Sequence, residues 1–250
     1  MSVFALQLLA MITMFCDHFG SAFLDNNLFF RCIGRFAFAI YAFLIAEGFR
    51  HIKDDSSRVS SHLGWLVVLA LVSEPCYDLL EFNSFNAKDL ASSQNAIITL
   101  LLGFLGLMAM QKWQDKPLFK YSAILLTAGA NYLIFSNYKF VGVLLIYAFY
   151  VYLERFVNAS YFKKFGILLA IFVLYLPLYH WARYDFCGLS TFLSKLEGSN
   201  TFWYITHIFV AMLLASYEGI LGFYSKKFKL IYKGFYPAHL LILGLIYRIF

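Results

Sequence analysis

An all-α fold, a polytopic helix bundle integral to a membrane, is predicted by three features of the chain. Of its 250 residues, 62% are hydrophobic and only 14% are charged. The apolar residues fall in runs of about 20, the length a helix needs to cross a hydrocarbon core. No polar stretch between the runs is long enough to fold by itself. A soluble surface needs roughly 25% charge, and a mean hydropathy of +0.70 points the same way. The net charge of +6 would suit nucleic acid, but basic residues between hydrophobic helices are explained by membrane topology. The lipid bilayer is therefore the first expected partner, and nucleic acid is not one.

Taken in order, the runs give about nine spans, at roughly 3–24, 28–50, 62–80, 94–111, 118–136, 139–156, 164–182, 200–222 and 234–250. The first is read as a spanning helix and not a cleavable signal, because it lacks a basic leading segment and a polar turn, Asp25-Asn26-Asn27, follows it. Pro177 and Pro237 fall inside the seventh and ninth runs and should kink or bound them. No internal repeat and no intervening soluble domain is visible, so residues 1–250 are read as a single transmembrane domain.

Orientation follows from lysine and arginine. The loops after the second, fourth, sixth and eighth runs carry 13 of them, and the opposite side carries five: Lys88, Lys139, Arg183, Lys195 and Arg248. Arg31 and Arg35, inside a run, complete the 20. The positive-inside rule then predicts a multi-pass protein of the bacterial cytoplasmic (inner) membrane, with its N-terminus in and its C-terminus out.

Charged groups inside apolar runs are costly, about 2.5–3.5 kcal/mol each at the bilayer centre. Asp17, His18, Arg31, Arg35, Glu47, Glu74 and Asp78 are such groups. At 1.5 Å per residue, His18, Arg35, Glu74 and Thr99 each lie about 8–10 Å from the outer ends of their spans. They form a polar layer in the outer half of the membrane. Arg31 and Arg35 share a helix face, as do Glu74 and Asp78, and as do Asn95 and Thr99. Two carboxylates on one face need a cation, so pairing of Arg35 with Glu74 is expected. Such pairs can serve simply to fix helix packing. His18 adds an imidazole able to take a proton near neutral pH.

The inner end has its own polar group: Glu47, Arg50 and His51 close the second run, and Tyr236 and His239 open the ninth. With the basic loops they are candidates for receiving a phosphorylated cytosolic ligand. The cysteines, Cys16, Cys32, Cys76 and Cys187, show no metal-ligand spacing and are read as small buried residues, so no metal is expected. His180 and His207 receive no role.

Several motifs, in combination and in order, resemble the TraX family of membrane proteins over most of the chain. They are Met14-Phe15-Cys16-Asp17-His18-Phe19-Gly20, Gly34-Arg35-Phe36-Ala37-Phe38 leading to Phe43-Leu44-Ile45-Ala46-Glu47-Gly48-Phe49, Ser73-Glu74-Pro75, Asn95-Ala96-Ile97-Ile98-Thr99-Leu100, Gly142-Val143-Leu144-Leu145-Ile146 and Tyr236-Pro237-Ala238-His239-Leu240. The founding activity of that family is acetylation of the N-terminus of a conjugative pilin. It is similar to the wider membrane acyltransferases, in which a histidine of an early helix serves an acetyl group given by cytosolic acetyl-CoA to an acceptor on the far side. The resemblance implies acetyl-CoA as donor substrate and an extracytoplasmic acceptor, a pilin amine or a glycan hydroxyl. His18, Asp17, Arg35 and Glu74 become the expected catalytic group. Arg31, Asp78, Asn95 and Thr99 become expected acceptor contacts, and Glu47, Arg50, His51, Tyr236 and His239 donor contacts.

Two readings stand. One is an acetyl-CoA-dependent membrane O- or N-acetyltransferase. The other is a small ion- or proton-coupled transporter, since a buried layer of Arg, Glu and His also suits an ion path. Transporters are often built from repeats with paired broken helices, which the sequence does not display.

Overall fold

The computed structural model describes residues 1–25, 27–82, 94–183 and 200–249. Asn26, Lys88, Cys187, Lys195 and Phe250, which enter the reading above, lie outside the described residues. Among the described residues nine α-helices follow one another and no strand occurs. They are α1 Val3–Phe23, α2 Leu28–Ile52, α3 Ser56–Glu81, α4 Ala96–Lys112, α5 Pro117–Leu133, α6 Lys139–Phe156, α7 Tyr161–Arg183, α8 Asn200–Ala215 and α9 Lys226–Ile249.

Local chemistry sets the ends. Ser2 caps α1 by accepting from Ala5 N at 3.2 Å, Asp55 caps α3 from Arg58 N at 3.0 Å, and Asn27 accepts from Phe29 N at 3.0 Å at the start of α2. Asp25, at φ 47°, makes the left-handed step of the α1–α2 turn that a short polar side chain tolerates. Pro117 sits at the first position of α5, where no N–H is needed. Pro177 and Pro237 are indeed interior to helices, and Pro75 is a third.

Three boundaries differ from the sequence reading by more than one turn, and in the first of them α3 begins at Ser56, six residues earlier than expected. Helix α8 ends at Ala215, and α9 begins at Lys226, eight residues earlier than expected. The lysine-rich opening of α9 looked like loop, but long lysine stems lie along a helix surface while their ammonium groups reach for water.

Leu71, Leu126, Leu133, Phe162 and Leu174 each leave more than two thirds of their surface open. So much exposed aliphatic surface has no place in water but is the normal face of a helix toward lipid. Five helices, α1, α2, α3, α7 and α9, are long and apolar enough to cross a bilayer, and α4 and the Phe202–Ala215 part of α8 are shorter apolar helices. The protein is a helical membrane protein.

Two compact units are present. The first comprises Met1–Tyr41 and Val151–Phe223. In it α7 packs along α8, burying Leu168, Phe172 and Leu176 of one and Val210, Ala211 and Leu214 of the other, each at helical spacing. The amino end of α1 is tied to the segment after α8: Val3 N donates to Ile220 O at 2.9 Å and Phe4 N to Leu221 O at 3.1 Å. Gly222, at φ 75°, lies where a Cβ would strike Ser2. Lys164, in the first turn of α7, donates to Tyr217 O at 2.8 Å. The starts of α1 and α7 and the end of α8 therefore share one end of this unit, so α1 and α7 run parallel and α8 against them.

The second unit comprises Ala42–Tyr150 and Tyr224–Phe250. Here α9 packs on α3 and runs parallel to it: Lys233 lies over Trp65 near their starts, and Gly244 meets Leu79 near their ends. The core holds edge-on aromatic pairs, Phe43 with Phe149, Phe49 with Phe104 and Phe49 with Tyr150, with centroids 5.4–5.7 Å apart. Glycines let helices approach closely, as at Gly103 against Ile146 and Gly106 against Thr127. That packing, not exclusion of water, is what holds helices together in lipid.

Candidate functional site

In the first unit the α1–α2 hairpin is closed by glycine. A methyl on Gly34 would overlap the Cβ, Cγ and Oδ1 of Asp17, and one on Gly20 would overlap Phe30. Asp17 is thereby pressed onto α2, where its Oδ1 meets Arg31 Nη1 at 3.1 Å. Arg35, one turn further on the same face, contributes to the field on Asp17. Its guanidinium lies 4.2 Å from the Trp203 ring centre, a cation–π contact. His18, partly buried, lies within electrostatic reach of Arg31.

Two histidines to which the sequence assigned nothing join this group. His180 of α7, almost fully buried, places its ring 4.9 Å from Trp203, and Arg183 lies 5.8 Å from the same indole. His207 of α8 has Nδ1 2.8 Å from Trp203 O and packs on Phe172 at 5.1 Å. With a carbonyl as partner, Nδ1 carries the proton, which leaves Nε2 as the acceptor of a neutral ring. Trp203 itself was overlooked. The signal was available, since Trp203 and His207 are four apart and the depth rule that found His18 also selects His207. The result is a cluster of imidazole and guanidinium groups around the Asp17 carboxylate, of a kind suited to drawing a proton from a neutral nucleophile and holding developing negative charge.

The second unit contains a separate polar layer. Asn95 caps α4 by accepting from Ile97 N at 2.9 Å, and its backbone N–H donates to Glu74 Oε2 at 3.2 Å. Its amide Nδ2 donates both to Glu74 Oε2 and to Ala70 O. Glu74 thus rests at the positive end of a helix, which favours an anion there. Pro75, which has no N–H, leaves α3 one ladder bond short beside this carboxylate. Asp78, buried one turn on, repels Glu74. Thr99 Oγ1 meets Ser136 Oγ at 2.5 Å and accepts from Asn131 Nδ2 at 3.3 Å, while Asn137 Nδ2 donates to Tyr77 Oη at 2.9 Å. The depth argument found Glu74 and Thr99, and helix spacing added Asn95, but neither found Asn131, Ser136 or Asn137, which lie at a helix end and in a loop. The side chains of Asn95 and Thr99, expected as acceptor contacts, hold this layer together.

The expected partner of the carboxylates was the arginine pair. Arg31 finds Asp17 instead, a residue considered only against its neighbour His18. Arg35 belongs to the first unit and Glu74 to the second, and each has the partners just given in its own unit.

The five expected donor contacts divide. Glu47 is buried and meets two residues of its own helix: Arg50 Nε at 2.9 Å, Arg50 Nη2 at 3.0 Å and His51 Nε2 at 2.9 Å. Tyr236 interacts with Tyr77, Tyr138, Glu74 and the backbone of Ala96, so it belongs with the carboxylate layer. His239 bonds through Nδ1 to Phe235 O at 2.8 Å, and its ring stacks on Phe235. The earlier start of α9 explains the shift of Tyr236, since eight more helical residues carry it about 12 Å deeper.

The model of the TraX family, described as TraX protein, matches residues 2–247. No curated protein and no solved structure matches the chain. The ordered motifs around Asp17-His18, Gly34-Arg35, Glu74-Pro75 and Asn95 thus lie in one continuous match, and the chain belongs to the TraX family.

Proposed function

We propose that the protein is an acetyltransferase of the bacterial inner membrane. It moves an acetyl group from cytosolic acetyl-CoA to an amine or hydroxyl at the extracytoplasmic face, a pilin N-terminus or a surface glycan. The observation that carries this reading is the cluster on the α1–α2 hairpin, where glycine packing sets Asp17 against Arg31 beside His18 and Arg35 stacks on Trp203. In this reading the N-terminus lies on the cytoplasmic side, which the distribution of basic loops supports.

In this mechanism His18 accepts the proton of the acceptor as its nitrogen or oxygen attacks the thioester carbonyl. A bond from the acceptor to the acetyl carbon forms, the carbon–sulfur bond breaks, and the departing thiolate takes up the proton. Arg35, oriented by Trp203, faces the charge that builds on the carbonyl oxygen, a kind of stabilisation worth about 2.7–4 kcal/mol per donor. Asp17 anchors Arg31 and so fixes the hairpin that carries the histidine. Glu74, Asp78, Asn95 and Thr99 form the polar layer of the second unit, where Asn95 ties the start of α4 to α3.

The test is transfer of labelled acetyl from acetyl-CoA by purified protein in proteoliposomes with the chain's own pilin or glycan fraction as acceptor. Labelled acceptor is expected, and its absence with every acceptor alongside proton-coupled flux of a solute would replace this reading with the transporter.

A further inference from the structure

A group of cations in the second unit lies outside everything used above. Along α3, Arg58, His62 and Trp65 recur at spacings of four and three, and along α9 Lys229 and Lys233 are four apart, so each set forms one stripe. The two stripes meet near the starts of the helices. Lys233 Nζ lies 4.4 Å from the Trp65 ring centre, and both lysines act electrostatically on His62 and on each other. Like charges at this spacing on a helix oppose one another. Among the described residues no carboxylate pairs with either lysine. His62 packs on Phe104 at 5.0 Å, with its Nε2 buried and without a hydrogen-bond partner among the described residues.

The cluster at the end of α2 is the opposite case, because there the Glu47 carboxylate already pairs with Arg50 and meets His51. Two unneutralised ammonium groups, one held against an indole, beside an imidazole nitrogen with an unused bond, are complementary to a dianionic phosphate.

We propose that His62, Lys229 and Lys233 form a phosphate-binding site, with Trp65 holding Lys233 in position. Resting on the acetyltransferase reading, the ligand is the phosphate-rich end of acetyl-CoA. The stripes start from the basic loops that the positive-inside rule places in the cytoplasm, where that ligand is found. The same chemistry would also accept the headgroup of an anionic lipid.

The test uses the full chain in nanodiscs of neutral phosphatidylcholine, with adenosine 3′,5′-bisphosphate as the soluble probe read by calorimetry. A second arm measures retention of phosphatidylglycerol by the purified protein. Lys229→Ala and Lys233→Ala should each weaken binding of the soluble probe about tenfold or more, the usual scale of a charge-assisted hydrogen bond. Lys233→Arg, which keeps the charge, should bind within about threefold of the parent and guards against a merely misfolded alanine variant. Lys226→Ala, on the exposed first turn of α9, should change nothing. Losses confined to phosphatidylglycerol would overturn the assignment to the donor, and unchanged binding in both arms would overturn the site. Because the probe carries no acetyl group, intact lysine-dependent binding in a protein that transfers no acetyl would refute the enzyme reading and leave the phosphate site standing.

Discussion

Replacing Gly34 by alanine puts a single methyl group where the Cβ and carboxylate of Asp17 already lie. The obstruction is the root of a side chain on a facing helix, not a flexible tip, so α1 and α2 must separate. Overpacking of this kind costs about 1–3 kcal/mol. Separation also lengthens the 3.1 Å contact between Asp17 and Arg31 and moves His18, the next residue on α1, away from Arg31 on α2. A displacement of about 1 Å in a reacting group can cost about 100-fold in rate. Gly34→Ala should therefore lower thermal stability in detergent and reduce acetyl transfer by about two orders of magnitude. Gly48→Ala is the matched comparison on the same helix, since nothing stands within 4 Å of a Cβ there. It should be neutral or stabilise by up to about 1 kcal/mol, because alanine is the better helix former. Gly34→Ala with parental stability and activity, or equal effects at the two glycines, would refute the claim that this close approach builds the site.

Asp17→Asn and Arg31→Gln should each destabilise the protein, and the double variant should lose less than the two together, with a coupling of about 0.5–3 kcal/mol in thermal or denaturant unfolding; strict additivity would mean that the ion pair contributes nothing. Asn95→Ala removes both the cap of α4 and the donors to Glu74, a combined loss of about 2–4 kcal/mol, and adding Glu74→Gln should recover part of it. Recovery should be visible in the melting temperature, and a double variant worse than the sum would count against Asn95 as the keeper of that carboxylate. For topology, reporter fusions after Lys116 and after Lys229 should report cytoplasm and one after Lys88 the far side. The reverse pattern would invert every depth assigned from the sequence.

Much of the architecture was legible because a membrane span has a fixed length and a membrane interior excludes charge. The nine apolar runs fall on the nine described helices, and of the costly residues in them Asp17 and Arg31 pair, Arg35 lies over Trp203, and Glu47, Glu74 and Asp78 are buried. Depth along a helix was also readable, which is why Glu74 and Thr99 were placed in one layer, and four-residue spacing brought Asn95 to the face of Thr99. What stayed hidden depends on which helix faces which. Gly34 was visible as part of a motif, but only the packed hairpin reveals that its missing side chain makes room for Asp17. Trp203 was lost among abundant aromatics, and His180 and His207 were given no role, because hydropathy does not distinguish a ring facing lipid from one packed in a polar cluster. Tyr236 was put at the wrong depth for a simple reason: lysines at the start of α9 resemble a loop in composition while continuing a helix in geometry.

The central claim is that His18 is the base of an acetyl transfer, and its most direct test is the rate of labelled acetyl transfer by His18→Ala in membranes, measured beside adenosine 3′,5′-bisphosphate binding by the same preparation. Base catalysis is worth about 10²–10⁴-fold, so transfer should fall by that much while insertion and binding persist. His18→Gln should not restore it, since an amide can hydrogen-bond but cannot take the proton. Near-parental transfer by His18→Ala would remove the histidine from the chemistry and favour an ion-coupled transporter over an enzyme.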